Sequence, residues 1–230
     1  MRAAIVQSSY IPWKGYFDLI HDVDTFVFFD DVQFTTRDWR TRNRIKTPNG
    51  PLWLTIPAGN RTDRLICEVQ LEDSSWQRKH WASIQHNYVK APFFNAYEEL
   101  FKGIYLDRTW HSLSELNQYL TRLIATEFLG IQTEFRDSRE FQAEGKRQDR
   151  LISLLQRMGA THYVSGPSAR NYIDPLQFEA ARIGLSYHDY PDYPQYPQLY
   201  PPFEPTVSIL DLLFNVGPQA RHFIWGWRGN

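Results

Sequence analysis

Thr25-Phe26-Val27-Phe28-Phe29 is an unbroken run of β-favouring residues without polar alternation, and no other stretch constrains the fold as much. A strand that is apolar on both faces must be covered on both, which is the condition of a parallel sheet carrying helices on each side. The residues ahead of it supply the rest of such a unit. Arg2 to Val6 reads as a short apolar strand, and Gln7 to Lys14 holds Pro12 and ends at Gly15, where a helix through Tyr16-Phe17-Asp18-Leu19-Ile20 can begin. Strand, loop, helix and buried strand in close succession predict a βαβ unit.

Farther on, an Asn49-Gly50 turn between Arg42–Lys46 and Leu52–Ile56 signals an antiparallel hairpin, and the alternating stretch Ile66-Cys67-Glu68-Val69-Gln70-Leu71 reads as another strand. Residues 76–129 read as helical. Within them Ser112-Leu113-Ser114-Glu115 fits a capping box, Leu116, Leu120, Leu123, Ile124 and Phe128 form an apolar stripe, and Gly130 is placed to end the helix. The last part alternates again: a helix from Lys146 to Met158, a strand Thr161–Val164, the loop Ser165-Gly166-Pro167, a helix near Leu176–Arg182 and a strand near Leu185–His188. Residues 191–205, rich in proline and carrying Tyr193, Tyr196 and Tyr200, can be neither helix nor central strand and are expected to run as an extended loop over the surface. A final helix covers Ser208 to Asn215. The expected class is α/β: a mostly parallel sheet with a Rossmann-like opening, an antiparallel hairpin region, and 76–129 as a helical insertion within one domain spanning 1–230.

Composition narrows the function. Lys and Arg total 25 against 26 Asp and Glu, a net charge of −1 that argues against a dedicated nucleic-acid binder. Cys67 is the one cysteine, so no intrachain disulfide can form. The opening Met1-Arg2-Ala3-Ala4-Ile5-Val6 turns polar at Gln7 before a signal-peptide core has formed, and no apolar run approaches the ~18 residues of a membrane span, so a cytoplasmic location is expected. Aromatic residues make up 16% of the chain while mean hydropathy is −0.51. Large rings among polar residues either pack a core or line sites for sugars and bases.

Five constellations could carry chemistry. The turn after the first strand, with Gln7, Pro12 and Gly15, lies where α/β sheets bind ligands, and Gly15 would let helix-start amides approach an anion. Asp30-Asp31-Val32-Gln33 follows the buried strand; two carboxylates there can hold Mg2+ through oxygen, or serve as one solvated and one turn Asp. Arg40, Arg42, Arg44 and Lys46 recur every second residue, so on a strand they would share one face at intervals of roughly 6.6 Å, an anion-matched ladder beside Trp39 or a solvated face. His80 and His86 stand about 240° apart on a helix and cannot share a metal, and His21, His111, His162, His188 and His222 form no ligand cluster, which leaves His80 beside Lys79 as a lone acid–base candidate. The loop through Ser165, Gly166, Asn171 and Tyr172 would face the first loop. No G-x-S-x-G elbow exists, and Cys67 lacks a recognisable His partner.

The assembled chain resembles the WbqC-like family, whose members are encoded in bacterial O-antigen and other surface-polysaccharide clusters. The resemblance rests on Ala4-Ile5-Val6-Gln7 with Pro12-Trp13-Lys14-Gly15-Tyr16-Phe17, on Phe29-Asp30-Asp31-Val32-Gln33-Phe34, on Arg42-Asn43-Arg44-Ile45, on Tyr163-Val164-Ser165-Gly166 with Asn171-Tyr172, and on Ser208 to Asn215. Ser8 departs from the proline expected after Gln7. The resemblance implies a part in making or decorating surface glycans, and it raises Asp211 and Asn215, one helical turn apart, as an internal cap network or a polar wall of the site. A weaker similarity joins the first thirty residues to nucleotidylyltransferase-like proteins, but the His pair those place on phosphates is missing here.

Two functions are therefore expected to compete. The first is a group-transfer enzyme on a nucleotide-activated or amino sugar, in which Gly15, Arg42 and Arg44 bind the anionic donor, Asp30 acts as base or metal ligand, and Gln33 and Asn43 orient hydroxyls. The second is a glycan- or protein-binding scaffold that presents the Tyr/Pro loop and Trp225/Trp227. Convergence of the charged groups in one pocket favours the first; a flat exposed aromatic patch favours the second.

Overall fold

The computed structural model describes residues 1–190 and 192–229. Five parallel strands form the central sheet: β1 (Arg2–Val6), β2 (Thr25–Phe28), β5 (Glu134–Asp137), β6 (His162–Ser165) and β7 (Gly184–Tyr187), in the spatial order β5-β2-β1-β6-β7. The remaining two, β3 (Arg42–Thr47) and β4 (Gly50–Thr55), pair antiparallel in a separate hairpin, with Arg44 opposite Trp53.

Both faces of the sheet are covered, as the apolar β2 demands. Ala4, Phe26 and Phe28 point into a large core shared with α1 (Lys14–His21), the hairpin, α2 (Ser75–Tyr88), α3 (Phe94–Lys102), α4 (Leu113–Leu123) and α7 (Ile209–Val216). Their neighbours Ala3, Ile5 and Val27 point the other way, against Leu154 and Leu155 of α5 (Arg147–Arg157) and Phe178 of α6 (Pro175–Ala180). The alternation of strand side chains thus divides one short sheet between two cores. Trp110, Tyr88, Phe94, Phe101 and Phe214 are fully buried in the larger one, so much of the aromatic load is packing.

Several expectations are corrected. The stretch 66–71 is no strand: Ile66–Glu68 forms a 3-10 turn, and Gln70 makes a single bridge to Ser112. Residues 76–129 are three α-helices, of which α3 and α4 run on into π-turns, rather than one continuous helical stretch. Ser112 does cap α4 by accepting the Glu115 amide at 3.3 Å, but the Glu115 carboxylate reaches Arg108 at 2.7 Å instead of closing a box. Strand β5 carries no sequence signal beyond Phe135, because an edge strand needs one apolar face at most and is protected by charge.

The loop at 191–205, whose Pro191 lies outside the described residues, runs without helix or strand along the surface as expected, with Tyr196 buried and the rest exposed or half-buried, but its tyrosines do not face outward. Tyr193 donates to Asp18 at 2.6 Å, Tyr196 to Asp211 at 2.7 Å and Tyr200 to the Asn87 carbonyl at 3.0 Å, so its hydroxyls are turned inward. Trp225 is stacked on His21 with centroids 4.1 Å apart. Of the rings expected to present a flat patch, Tyr196 is buried, Tyr193, Tyr200 and Trp225 are half-buried, and Trp227 is exposed. No helix among the described residues is long and apolar enough to cross a membrane.

Candidate functional site

The ladder between β1 and β6 holds only two residue pairs, Arg2–His162 and Ala3–Tyr163, whereas β1 stays paired with β2 through Val6. Beyond Ala3 the two strands part, and this is the point where the sheet order reverses, with β2 on one side of β1 and β6 on the other. α/β sheets bind ligands in the crevice outside the carboxyl ends of strands at such a switch point. The crevice has two chambers of about 710 and 610 Å3 that share Val6, Gln7, Tyr16, Gly166, Ser168 and Tyr190. The first is mainly apolar, walled by Ile5, Leu19, Phe29, Leu151 and Ile173 with Ser165, Tyr172 and Arg147 among its polar groups. The second is aromatic, with Trp13 and Trp39 beside Ser9, Pro12, Arg40, Asn43 and Thr206.

Its shape depends on how the loop from Gln7 to Trp13 is held. Ile11 sits at φ 36, a left-handed conformation costly for a buried β-branched residue, so the surroundings must impose it. Asn43 does so from β3: its amide donates to the carbonyls of Tyr10 at 3.2 Å and Ile11 at 2.9 Å, and its oxygen accepts the Arg44 amide at 2.8 Å. Asp30, fully buried at the end of β2, accepts the Ser8 amide at 2.8 Å, the Ser114 hydroxyl, and the Gln118 amide at 3.2 Å. Arg40 pairs with Asp38 and donates to the Gln7 side chain, while Tyr16 donates to the Gln7 carbonyl at 3.0 Å.

Of the residues singled out in the sequence, the crevice brings together Gln7, Pro12, Trp39, Arg40, Asn43, Ser165, Gly166 and Tyr172. The others lie elsewhere. Asp31 accepts the Ser138 hydroxyl and pairs with Arg150, so the two acids do not offer free oxygens to one site. Asp30 and Asp31 are thus poorly arranged to share a Mg2+ ion, and no group of three or more His, Cys, Asp or Glu among the described residues could hold a metal. Gln33 is exposed and donates to the Thr62 carbonyl at 3.1 Å. His80 is buried, with Nδ1 2.8 Å from the Tyr10 hydroxyl and Nε2 3.2 Å from the Thr55 carbonyl, and burial pushes it down to about 4, so it is neutral at pH 7.

Three of the four cations, Arg42, Arg44 and Lys46, take alternate positions on β3 as expected, while Arg40 precedes the strand, and the three are engaged within the protein rather than set out as an open ladder. Arg42 lies over the Trp53 ring at 4.4 Å; Arg44 lies over the same ring at 5.4 Å and donates to Thr206; Lys46 is buried on the Pro202 carbonyl. Gly15 does not line either chamber. A Cβ there would collide with the Trp13 indole, so its smallness makes room for that ring rather than for an anion. Asn171 is exposed at the end of the 3-10 turn Pro167–Asn171. Asp211 accepts from Tyr88, Tyr196 and Gln198, and Asn215 donates to the Asp211 carbonyl at 2.7 Å, which makes this pair an internal network and not a wall of the crevice.

Sequence reasoning passed over Tyr190 and Arg147, and took in Ser168 only as part of the strand-end loop from Ser165 to Tyr172. Tyr190 follows β7, and its ring meets Trp13 at 5.2 Å; position after a strand end was the one signal that could have found it.

Fold and crevice together define a doubly wound α/β protein with an open crevice at the switch point. Residues 7–223 match the WbqC-like protein family, and the chain belongs to that family. It is also 44% identical over 225 residues to an uncharacterized protein of Mycobacterium tuberculosis, covering 97% of each chain. No solved structure matches it.

Proposed function

We propose that the protein is a cytoplasmic group-transfer enzyme of surface-polysaccharide biosynthesis, acting on a nucleotide-activated or amino sugar held in the switch-point crevice. One observation carries this: the first chamber is lined by Arg147, which has no ionic partner among the described residues, the second by Arg40, whose guanidinium is shared with Asp38, no carboxylate lines either chamber, and the rings of Trp13, Tyr16, Trp39 and Tyr190 stand alongside. Guanidinium groups without a competing acid attract phosphate or carboxylate, and ring faces accept a base or the apolar face of a sugar. This favours the anionic, nucleotide-activated substrate. Membership of the WbqC-like family supports the polysaccharide setting.

Within this proposal Gln7, Ser165, Ser168 and Tyr172 hydrogen-bond the ligand, Gly166 and Pro12 shape its walls, and Asn43 and Asp30 act as positioning residues for the loop between β1 and α1. Asp31, His80, Asp211 and Asn215 hold the structure and are assigned no chemical step. Calorimetric titration with uridine diphosphate sugars tests it, using Arg147→Ala as the discriminating variant. Arg147 is exposed, so its loss should leave Tm within ~2 °C while weakening binding about tenfold. Absence of binding by every nucleotide sugar tried, or wild-type affinity in the variant, would overturn the proposal.

A further inference from the structure

Lys14 is left unused by the function proposed above. It is the first residue of α1, only 4% exposed, and it lines a third cavity of about 460 Å3. Trp13 and Thr206 line both this cavity and the aromatic chamber, so the two adjoin. Lysines are almost never buried this deeply without a partner. An ammonium carries three N–H donors, yet Lys14 Nζ finds one acceptor, the Pro194 carbonyl at 3.3 Å. Otherwise it rests over the rings of Tyr193 at 4.9 Å and Tyr196 at 5.3 Å.

Counter-charge is missing. Among the described residues no carboxylate lies within ion-pair distance of Lys14, and Asp211, whose field reaches it, already accepts from Tyr88, Tyr196 and Gln198. Burial pushes the amine down to about 8 against the pull of Asp211, so at neutral pH the larger share of Lys14 is a charged group with open donors. Asp192 also lines the cavity but is exposed to solvent, and Gln195 adds an amide. The Thr206 wall is fixed from outside by Arg44 and Glu204, which places the Arg42-Asn43-Arg44 segment in support of this cavity rather than in it.

We propose that Lys14 is the anion anchor of the crevice, its ammonium binding a phosphate oxygen of a ligand whose ring portion stands against Trp13 and Tyr190 in the adjoining chamber. This rests on the nucleotide-sugar function for the ring portion but not for the anion. The alternative is that Lys14 is a structural post, holding the Pro-rich loop through its aromatic neighbours alone.

The test pairs a variant with a measurement on the unaltered chain. Titrations with a uridine diphosphate sugar and with inorganic pyrophosphate are run on wild type and Lys14→Met, which keeps the apolar stem. In parallel, reductive methylation of wild-type Lys14 is followed by mass spectrometry with and without pyrophosphate. The expected result is at least roughly tenfold weaker binding of both probes in the variant and a Lys14 methylation rate slowed by pyrophosphate. Equal affinity in both proteins, with no protection of Lys14, overturns the anchor while the nucleotide-sugar function stands. Pyrophosphate protection of Lys14 with no nucleotide sugar bound supports the anchor and overturns the function. If Lys14→Met fails to fold, the protection measurement alone decides.

Discussion

Replacing Asp30 by Ala should destabilise the protein by about 4 kcal/mol and lower Tm by roughly 8–16 °C, read by scanning calorimetry. Its carboxylate is fully buried and accepts three donors, the Ser8 amide, the Ser114 hydroxyl and the Gln118 amide. Truncation leaves the Ser8 amide and the Ser114 hydroxyl without their acceptor, while Gln118 keeps Asp137 at 2.9 Å, and it opens a cavity where β2 meets the β1–α1 loop. Asp30→Asn keeps the volume and one acceptor, and about 2 kcal/mol of loss is expected of it. Because Ser8 belongs to the loop that carries Gln7 and Ser9 into the crevice, ligand affinity should fall in step with Tm across the two variants. An Asn variant with wild-type Tm but no turnover would instead make Asp30 a reacting group, the role that its position after a strand suggested.

Asp18→Ala is expected to be comparably costly, about 3–5 kcal/mol, because it breaks a buried charge network from one end. Asp18 is 1% exposed and receives Arg228, Tyr193 at 2.6 Å and His188 Nε2 at 3.2 Å, fastening the C-terminal tail, the Pro-rich loop and the end of β7 onto α1. Burial alone would push His188 down, but the Asp18 and Asp22 carboxylates lift it to about 9; Tyr190 and Arg228 also face the network, and Arg2 pairs with Asp22 at 3.0 Å.

A histidine whose folded pKa lies above its unfolded value of about 6.5 stabilises fully below 6.5 and loses that contribution as pH rises to 9. Urea denaturation of wild type at pH 6, 7.5 and 9.5 should therefore show stability falling by at most about 3 kcal/mol across the window. His188→Gln should be less stable at pH 6 and show a much flatter pH dependence. If the slope survives in that variant, the titrating group lies elsewhere.

Much of the fold was legible because it is written in local pattern. The apolar run at 25–29, the alternation of strands and helices after Lys146, the Asn49-Gly50 turn and the Ser112 cap each report a nearby physical constraint, and each appears within a residue or two of its expected place. Strand β5 and the segment 66–71 were misread for opposite reasons. Glu134-Phe135-Arg136-Asp137 pairs with β2 at the sheet edge while showing almost no apolar signal, whereas Cys67, Val69 and Leu71 alternate as a strand would, yet a 3-10 turn at Ile66–Glu68 is what buries Ile66 and Val69.

The site was less legible, since residue chemistry says what a side chain can do and not what it is already doing. Asp30, Asn43, Arg44 and Asp211 were sound choices by type, and all four are engaged in holding other residues in place. Arg147 and Lys14 gave no chemical signal because their meaning is a shortage of partners, and Tyr190 because its meaning is its contact with Trp13, all visible only once every neighbour is known.

By itself the sequence determined the α/β class, the parallel sheet, membership of the WbqC-like family and the two strand-end loops that face each other. Periodicity and turn chemistry are short-range, so these follow from neighbours along the chain. Only the tertiary structure decided that β1 and β6 part after two residue pairs, that the crevice so opened has no carboxylate in its lining, and that a buried lysine stands beside it with donors unused. Those properties depend on which distant groups satisfy one another, and hydrogen bonds and counter-charges between residues far apart in sequence exist only after the chain has folded.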